Sequence, residues 1–379
     1  MKKLSILVYG DIGGSGGYIR YCKGLFGSNA IPSDIDVTFI CSKALYDNLK
    51  PLDNSIKIII APWMASKYRY QRYLWHLWIY PQLVRSINPD IEFFPSGVRR
   101  VYMRNATTVT TCHNLLLFDH KELDKVEDRK ELKYFISAGK KQKASFKKSN
   151  GVIFLSEHSS NVVRAQIPDI KLSTVIAHGL DAPFFSSDDR SYKIGKSISV
   201  LYVSPIYRYK RQSEVVRAIS HARAQTGLDI SIKLVGGGSE SERIKLRNTI
   251  ASENAESFVH LVGALPYKKL LTEYKASDLF IFASTCETFG ITLLEAMGAK
   301  LPIACSNRTG LESILKDAGT YFDPDDSHSI KNAILSLLES EEIRAELGRK
   351  AFHLAQHYKW ERCATKTFAF IKHVHENTL

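Results

Sequence analysis

The sequence predicts an α/β protein of two doubly wound domains facing a central cleft. Three observations carry that prediction. At 379 residues the chain is longer than one hydrophobic core usually serves. Short apolar runs alternate with segments of helical period through both halves, the pattern of parallel strands joined by crossover helices. An apolar run also leads into a cluster of glycines twice, at residues 3–17 and again at 230–238. No solenoid-type repeat is present.

Residues 3–10 (KLSILVYG) read as a central strand. The preceding Met1-Lys2-Lys3 imitates a secretion signal. The apolar run is short, however, and ends in glycines without a small-residue cleavage site, so it reads as a first strand. The turn 11–17 and a helix over 18–26 follow, and glycine there lets backbone N–H groups approach a phosphate closely. The G-x-G-x-x-G dinucleotide fingerprint is incomplete. Ile19 stands at its third glycine, and the second strand, 37–40, ends in Cys41-Ser42 with no acid for a ribose. A third strand falls at 57–61.

Residues 63–87 hold three of the four tryptophans, with Tyr68, Tyr70, Tyr73 and Tyr80 among Lys67, Arg69, Arg72 and Arg85. Tyr70, Leu74, Leu77 and Trp78 recur at helical spacing with Tyr73 beside them, while Trp75 and Ile79 lie off that stripe. The plain reading is a helix packed on the sheet. A membrane-surface or lipid-acceptor face is the second reading, since aromatic-plus-basic helices favour that interface; nucleic acid is a third. Strands at 91–94 and 107–112 come next, the latter delivering Thr111-Cys112-His113-Asn114. A histidine at the C-terminal end of such a strand points into the ligand crevice. Residues 121–148 carry ten Lys or Arg against five acids, a solvated helix face or a surface for an anionic partner. Strands at 151–155 and 173–177 lead to His178-Gly179-Leu180-Asp181, and the mostly polar segment 182–197 reads as an interdomain linker.

A strand at 199–203 opens the second half. Residues 204–211 (SPIYRYKR) then precede a helix over 213–225. Cations placed where a strand gives way to a helix can neutralise a diphosphate leaving group. Strands at 230–235 and 258–262 lead into Gly236-Gly237-Gly238 and Gly263-Ala264-Leu265-Pro266. The organising stretch is 279–310. A buried strand at 279–283 is followed by Ser284, Thr285 and Cys286, then by Glu287 and Glu295 with seven residues between them. Phe289-Gly290 opens a helix over 291–299. An eight-residue helical step spans about 12 Å. Two carboxylates cleaving one glycosidic bond stand about 5 to 9.5 Å apart, so Glu287 and Glu295 suit the two ends of one long ligand instead. The N–H groups of Gly290, Ile291 and Thr292 lie between them at a helix N-terminus, where phosphate binds. A nucleotide-diphosphate sugar has that layout. Residues 320–326 and two helices complete the second half, and an amphipathic helix over 360–374 ends the series.

Net charge is +13, with the larger share of the excess in residues 1–190, so the N-terminal half is expected to meet something anionic. Hydrophobic content of 44% and charged content of 24% fit a soluble globular protein. The six cysteines are scattered without a C-x2-C pair, which argues against structural zinc or a disulfide framework and suits a reducing cytosol. No run approaches the roughly 20 apolar residues of a membrane span.

E-T-F-G-I-T-L-L-E-A-M-G-A (287–299) resembles the E-x7-E segment of retaining glycosyltransferases of family 4, of the kind that builds bacterial surface polysaccharides. T-C-H-N-L-L-L-F-D (111–119) is similar to the family segment whose histidine, here His113, contacts the donor sugar. The resemblance implies the GT-B fold, two Rossmann-like domains. Residues 1–181 would form the N-terminal acceptor-side domain with the last helix, 361–379, packed back on it. Residues 182–197 would be the linker and 198–360 the nucleotide-sugar-binding domain. Gly16 and Gly17 match a Gly-Gly beside the donor diphosphate and the acceptor. His178-Gly179-Leu180-Asp181 resembles an N-G-V-D turn with histidine replacing asparagine. Lys210 matches the family lysine. The family arginine position holds Pro205, with Arg208 or Arg211 as its substitute. Ala264 and Leu265 match the turn that receives the nucleobase. Phe289, Gly290, Ile291 and Thr292 complete the donor set, Glu295 takes the ribose hydroxyls and Glu287 the hydroxyls of the transferred sugar.

The implied reaction is retaining, metal-independent transfer of a hexose from a GDP- or UDP-sugar to a saccharide or lipid-linked saccharide hydroxyl, in lipopolysaccharide O-antigen or capsule synthesis. Same-face attack is expected, with the departing phosphate taking the acceptor's proton and domain closure excluding water. His113, Glu287 and Lys210 are the expected catalytic residues. No cofactor is implied beyond the nucleotide-sugar donor. The D-x-D triplets Asp34-Ile35-Asp36 and Asp323-Pro324-Asp325 read as turn chemistry rather than metal ligands. No nucleic acid is expected as a partner. The expected location is cytoplasmic, peripheral at the inner face of the membrane through residues 63–87 and 121–148. The alternatives are an epimerase or a phosphorylase on the same fold, or a non-catalytic basic surface for nucleic acid or anionic membrane. An epimerase would convert donor without acceptor; a phosphorylase would need a pyridoxal-phosphate lysine.

Overall fold

The computed structural model describes residues 3–10, 16–27, 30–99, 106–185 and 190–378. The chain forms two units. Residues 1–179 and 359–379 make the first and residues 180–358 the second.

The first unit is built on seven parallel strands. They are β1 (Leu4–Tyr9), β2 (Ile35–Cys41), β3 (Lys57–Ile60), β4 (Ile91–Phe94), β5 (Thr107–Thr111), β6 (Gly151–Phe154) and β7 (Leu172–Val175), in the order β3-β2-β1-β4-β5-β6-β7. The second unit has six parallel strands: β8 (Ser197–Val203), β9 (Asp229–Val235), β10 (Val259–Gly263), β11 (Leu279–Phe282), β12 (Ile303–Ser306) and β13 (Thr320–Phe322), in the order β10-β9-β8-β11-β12-β13. β4, β6, β11 and β12 are buried along their whole length, so β6 and β11 read in sequence as unbroken apolar runs rather than as alternation, while β4 carries Glu92 inside it. Each order reverses once beside its central strand, at β1/β4 and at β8/β11. Ligands of such sheets lie outside the carboxyl ends of the strands at that switch point. All six cysteines are buried and unbridged.

The helix Trp360–Glu376 belongs to the first unit, where it packs on the helix Gly16–Phe26 and on β5 and β6. Gly24 makes that approach possible, since a Cβ there would run into the Trp360 indole. Residues 190–196 lie in the second unit and are pinned to it. Arg190 donates to the Ala299 carbonyl at 3.2 Å and to the Ser277 carbonyl, and the Tyr192 hydroxyl donates to the Lys300 carbonyl at 3.2 Å.

Residues 63–87 depart from the sequence expectation. A 3-10 turn, Pro62–Ala65, precedes a helix, Arg69–Leu74, a π-helical segment, Trp75–Ile79, and a second α-helical stretch, Tyr80–Ile87. The π segment rotates the faces, because its i→i+5 bonds take more residues per turn than an α-helix. The apolar stripe of Tyr70, Leu74, Leu77 and Trp78 is exposed, with Trp78 at 62%. Trp75, which lies off that stripe, is buried with Tyr80 and Val84 in a cluster with Leu7, Tyr9, Ile40, Met64 and Phe94, and Ile79 packs against it. The Trp75 indole N–H donates to the Tyr9 hydroxyl at 3.2 Å, and the Tyr80 hydroxyl donates to Glu92 Oε2 at 2.6 Å in the middle of β4. Burial raises the Glu92 carboxyl above the usual range, against the lowering by Tyr80 and Arg99.

Candidate functional site

The loops that leave β8 and β11 at the switch point of the second unit carry the residues that matter most. After β8 a single 3-10 turn, Arg208–Lys210, ends in Arg211 at a left-handed φ of 54°, and the helix Gln212–Thr226 begins. The Tyr202 hydroxyl, on β8, donates to the Lys210 carbonyl at 2.5 Å. The Thr285 N–H and hydroxyl both reach the Tyr209 carbonyl, at 2.8 and 3.2 Å, and stitch the loop after β11 to the loop after β8. That clamp sets Lys210 Nζ against Glu287 Oε1 as an ion pair with both side chains largely withdrawn from water. The same ammonium lies 4.9 Å from the Tyr209 ring centre and 5.9 Å from that of Phe282. Burial, with the Glu287 carboxylate next, raises the Tyr209 phenol well above its ordinary value.

Past Glu287, Phe289 is buried with its ring 5.7 Å from that of Tyr358. Gly290 takes a φ of 87° and opens the helix Ile291–Gly298, which no side chain caps. A Cβ at Gly290 would stand 3.0 Å from Leu311 Cδ2 and 3.2 Å from Phe282 Cε1, so both conformation and space require glycine there. Leu293 and Leu294 donate to the Gly290 carbonyl at 3.0 and 3.2 Å. The N–H groups of Gly290, Ile291 and Thr292 are those a helix start leaves without an intrahelical partner. Glu295 lies on the inner side of this helix at 1% exposure, and its Oε2 accepts from the Tyr274 hydroxyl at 2.8 Å. Tyr274 also donates to the Thr292 carbonyl at 3.1 Å. The two glutamates therefore engage separate partner sets, Glu287 with Lys210 and Glu295 with Tyr274.

Further expected donor residues lie in the same unit. Pro205 stands where the resemblance expects arginine; its carbonyl accepts from the Gln212 amide at 2.9 Å. Of its two substitutes, Arg208 is exposed. Arg211 is buried and donates to Asp325 Oδ1 at 2.7 Å and to the Arg208 carbonyl at 2.8 Å. Asp323 and Asp325 both reach Arg308, at 3.0 and 3.6 Å. The acids of the other triplet, Asp34 and Asp36, pair with Lys372 and Lys3 in the first unit. Ala264 is exposed and Leu265 half-buried after β10. A Cβ on Gly237 would lie 4.0 Å from that of Ala264, which brings the glycine cluster alongside.

In the first unit, Gly16 and Gly17 open the helix Gly16–Phe26, and a Cβ on either would meet nothing within 4 Å. Residues 11–15 of the same turn lie outside the described residues. His113 follows β5 and sits in an aromatic box. Its ring is 4.7 Å from Tyr21, 5.6 Å from His178 and 6.0 Å from Tyr18. His178 packs in turn on Tyr21 at 5.3 Å and Trp360 at 5.6 Å. Burial lowers the His113 imidazole to about 3. Burial also lowers His178 well below its usual value, helped by His113 and Arg20. His113 is thus a neutral ring at pH 7. Sequence reasoning did not find Tyr274, the Arg211–Asp325–Arg308 network or the box around His113, because each joins residues from distant elements with no local spacing signal.

These two histidines make stability depend on pH. Both are depressed in the folded chain relative to an unfolded value of about 6.5, so the unfolded chain takes up protons first as pH falls. Their contribution is full above about pH 6.5 and is lost below it, toward about 3 where folded His113 titrates. The thermal midpoint is expected to drop between about pH 7 and pH 5, and His178→Asn to flatten the drop. An equal drop in the variant would remove His178 as a source.

Comparison with known proteins agrees with this layout. Residues 185–354 match the family model described as glycosyl transferases group 1. A curated relative, O-antigen chain mannosyltransferase B of Escherichia coli, is 34% identical over 112 residues, 30% of this chain and 29% of the relative. The matches to the first curated relatives span less than two thirds of those proteins' own lengths. Among solved structures, Anabaena HepE in complex with UDP-glucose superposes with a TM-score of 0.77 at 15% identity, covering 97% of this chain and 99% of that one. WaaG, a glycosyltransferase involved in lipopolysaccharide biosynthesis, gives 0.72 at 13% identity, covering 97% and 99%. The chain has the GT-B fold, and the stretch that matches the glycosyl transferases group 1 model lies within its second unit.

Proposed function

We propose that the protein is a retaining, metal-independent hexosyltransferase of family 4, moving a sugar from a GDP- or UDP-linked donor to a saccharide or lipid-linked saccharide hydroxyl. The observation that carries the reading is the Lys210–Glu287 pair at the switch point of the second sheet, followed in sequence by the uncapped helix start at Gly290. A cation and a row of free N–H groups suit a diphosphate that gains charge as its bond to the sugar breaks. Glu287 holds the ammonium in place and offers its carboxylate to sugar hydroxyls. Glu295, fixed by Tyr274, is assigned to the ribose, and Ala264 and Leu265 to the base. Gly16 and Gly17 are assigned to the diphosphate and acceptor, and His113, a neutral ring, to the transferred sugar.

The metal-independent reading is supported by Asp323 and Asp325, whose carboxylates are held by Arg308 and Arg211. In this reading the acceptor attacks from the face the leaving group departs, and the departing phosphate takes its proton. The name of the E. coli relative supports a role in O-antigen or other surface polysaccharide synthesis, and such an acceptor would place the protein at the inner face of the cytoplasmic membrane.

The test is the thermal midpoint against UDP-, GDP-, CDP- and dTDP-sugars, with Glu287→Gln and Glu295→Gln alongside. A ligand at about 100 times its dissociation constant stabilises by about 2.7 kcal/mol, a shift of a few degrees. A shift with one base, weakened in both variants, is expected. No shift with any donor in folded protein would overturn the reading.

A further inference from the structure

We propose that the outer face of residues 63–78 is a docking surface for an anionic lipid bilayer. The face is an exposed aromatic and aliphatic patch: Tyr70, Tyr73, Leu74, Leu77 and Trp78 are all open to solvent, with Trp63 and Tyr68 exposed just before them. Scattered apolar residues are normal on a surface, but a contiguous set of this kind marks an interaction site. It is not spare core. The opposite side of the same helix is fixed by Trp75, Tyr80 and Val84 in the core cluster and by the Trp75–Tyr9 hydrogen bond, so the outward set cannot roll inward.

Charge selects the occupant. From residue 54 to residue 89 there is no acidic residue, while Lys57, Lys67, Arg69, Arg72 and Arg85 fall in that stretch. Lys67, Arg69 and Arg85 are exposed, and Lys67 lies 5.0 Å from the Tyr68 ring centre. Aromatic rings suited to headgroup depth, with cations and no carboxylate in their own stretch of chain, match an anionic bilayer surface. A copy of this chain, itself +13, would meet the face with like charge. No helix among the described residues is long and apolar enough to cross a membrane, so the contact would be peripheral. The π-helical segment Trp75–Ile79 is the device that separates the faces. It turns Trp75 inward while leaving Leu74, Leu77 and Trp78 outside. The inference does not need the proposed transfer reaction, because binding is read without donor or acceptor.

The experiment is co-sedimentation of the full chain with vesicles of phosphatidylcholine alone, or of phosphatidylcholine with phosphatidylglycerol. Leu77→Glu/Trp78→Glu is run beside the wild type, with circular dichroism to show that both are folded. The wild type is expected to partition onto the anionic vesicles and to be released by high salt. The double variant should bind about tenfold more weakly or less. The proposal is overturned if folded wild type ignores anionic vesicles, or if the double variant binds as well as wild type. It is equally overturned if the substitution instead abolishes a dimer seen by gel filtration while vesicle binding is absent.

Discussion

Lys210→Met is expected to lower kcat by about 10²- to 10³-fold, the effect of removing one preorganised group from developing charge. The difficulty is that the same substitution leaves Glu287, largely withdrawn from water, without its cation. Stripping one partner from a buried pair costs about 3 to 5 kcal/mol, and the residual solvent contact of Glu287 places this case toward the lower end. Rate and stability must therefore be separated. Lys210→Met/Glu287→Gln replaces the pair by neutral groups and is expected to regain most of the thermal midpoint while regaining none of the rate. A double variant that recovered both would make Lys210 a structural residue. Wild-type kcat in folded Lys210→Met would remove it from the mechanism.

Gly236→Ala should unfold the second unit or destabilise it by about 3 kcal/mol or more, a loss that needs a named cause. The cause is backbone. Gly236 has a φ of 151°, and its N–H donates to the Gly263 carbonyl at 2.9 Å. A Cβ there would collide with the Ser204 carbonyl and stand 3.0 Å from the Pro205 nitrogen. Ser204, Pro205 and Ile206 run beside the glycine cluster like a continued strand. The Ile206 N–H reaches the Gly237 carbonyl at 2.6 Å, and Ile206 bridges Gly238. Pushing this layer aside would move the turn that carries Lys210. Gly237→Ala is the control, since its Cβ would meet only Ala264 at 4.0 Å. Equal denaturation midpoints for the two variants would show that the layer yields, contrary to expectation.

Much of the fold was legible because most of its buried parallel strands are apolar runs. Phe280, Ile281 and Phe282 could hardly lie anywhere but a core, and Gly290 announced the turn before its helix. The register of residues 69–87 was not legible. Five residues of π-helix shift the phase of the pattern, and what decides the buried side is the Tyr9 hydroxyl at the far end of β1, 66 positions from the Trp75 indole. Glu92 was hidden for a similar reason: a carboxylate inside a four-residue strand makes sense only with Tyr80 beside it. In the candidate site the residue types were readable, but their pairing was not. The Lys210–Glu287 contact spans 77 positions and depends on a threonine clamped to the Tyr209 carbonyl.

The membership of the helix Trp360–Glu376 bears on how the protein is made. It belongs to the first unit, yet it leaves the ribosome only after the whole second unit has been translated. At about 5 to 20 residues per second, the stretch from residue 180 to residue 376 takes about 10 to 40 s. During that interval the seven-stranded sheet stands without the helix that seals Gly24, β5 and β6, while the second unit is contiguous in sequence and is translated whole. Of the two units, the one that comes earlier in the sequence is therefore the one completed later, and its unsealed face is the one a nascent-chain chaperone would meet.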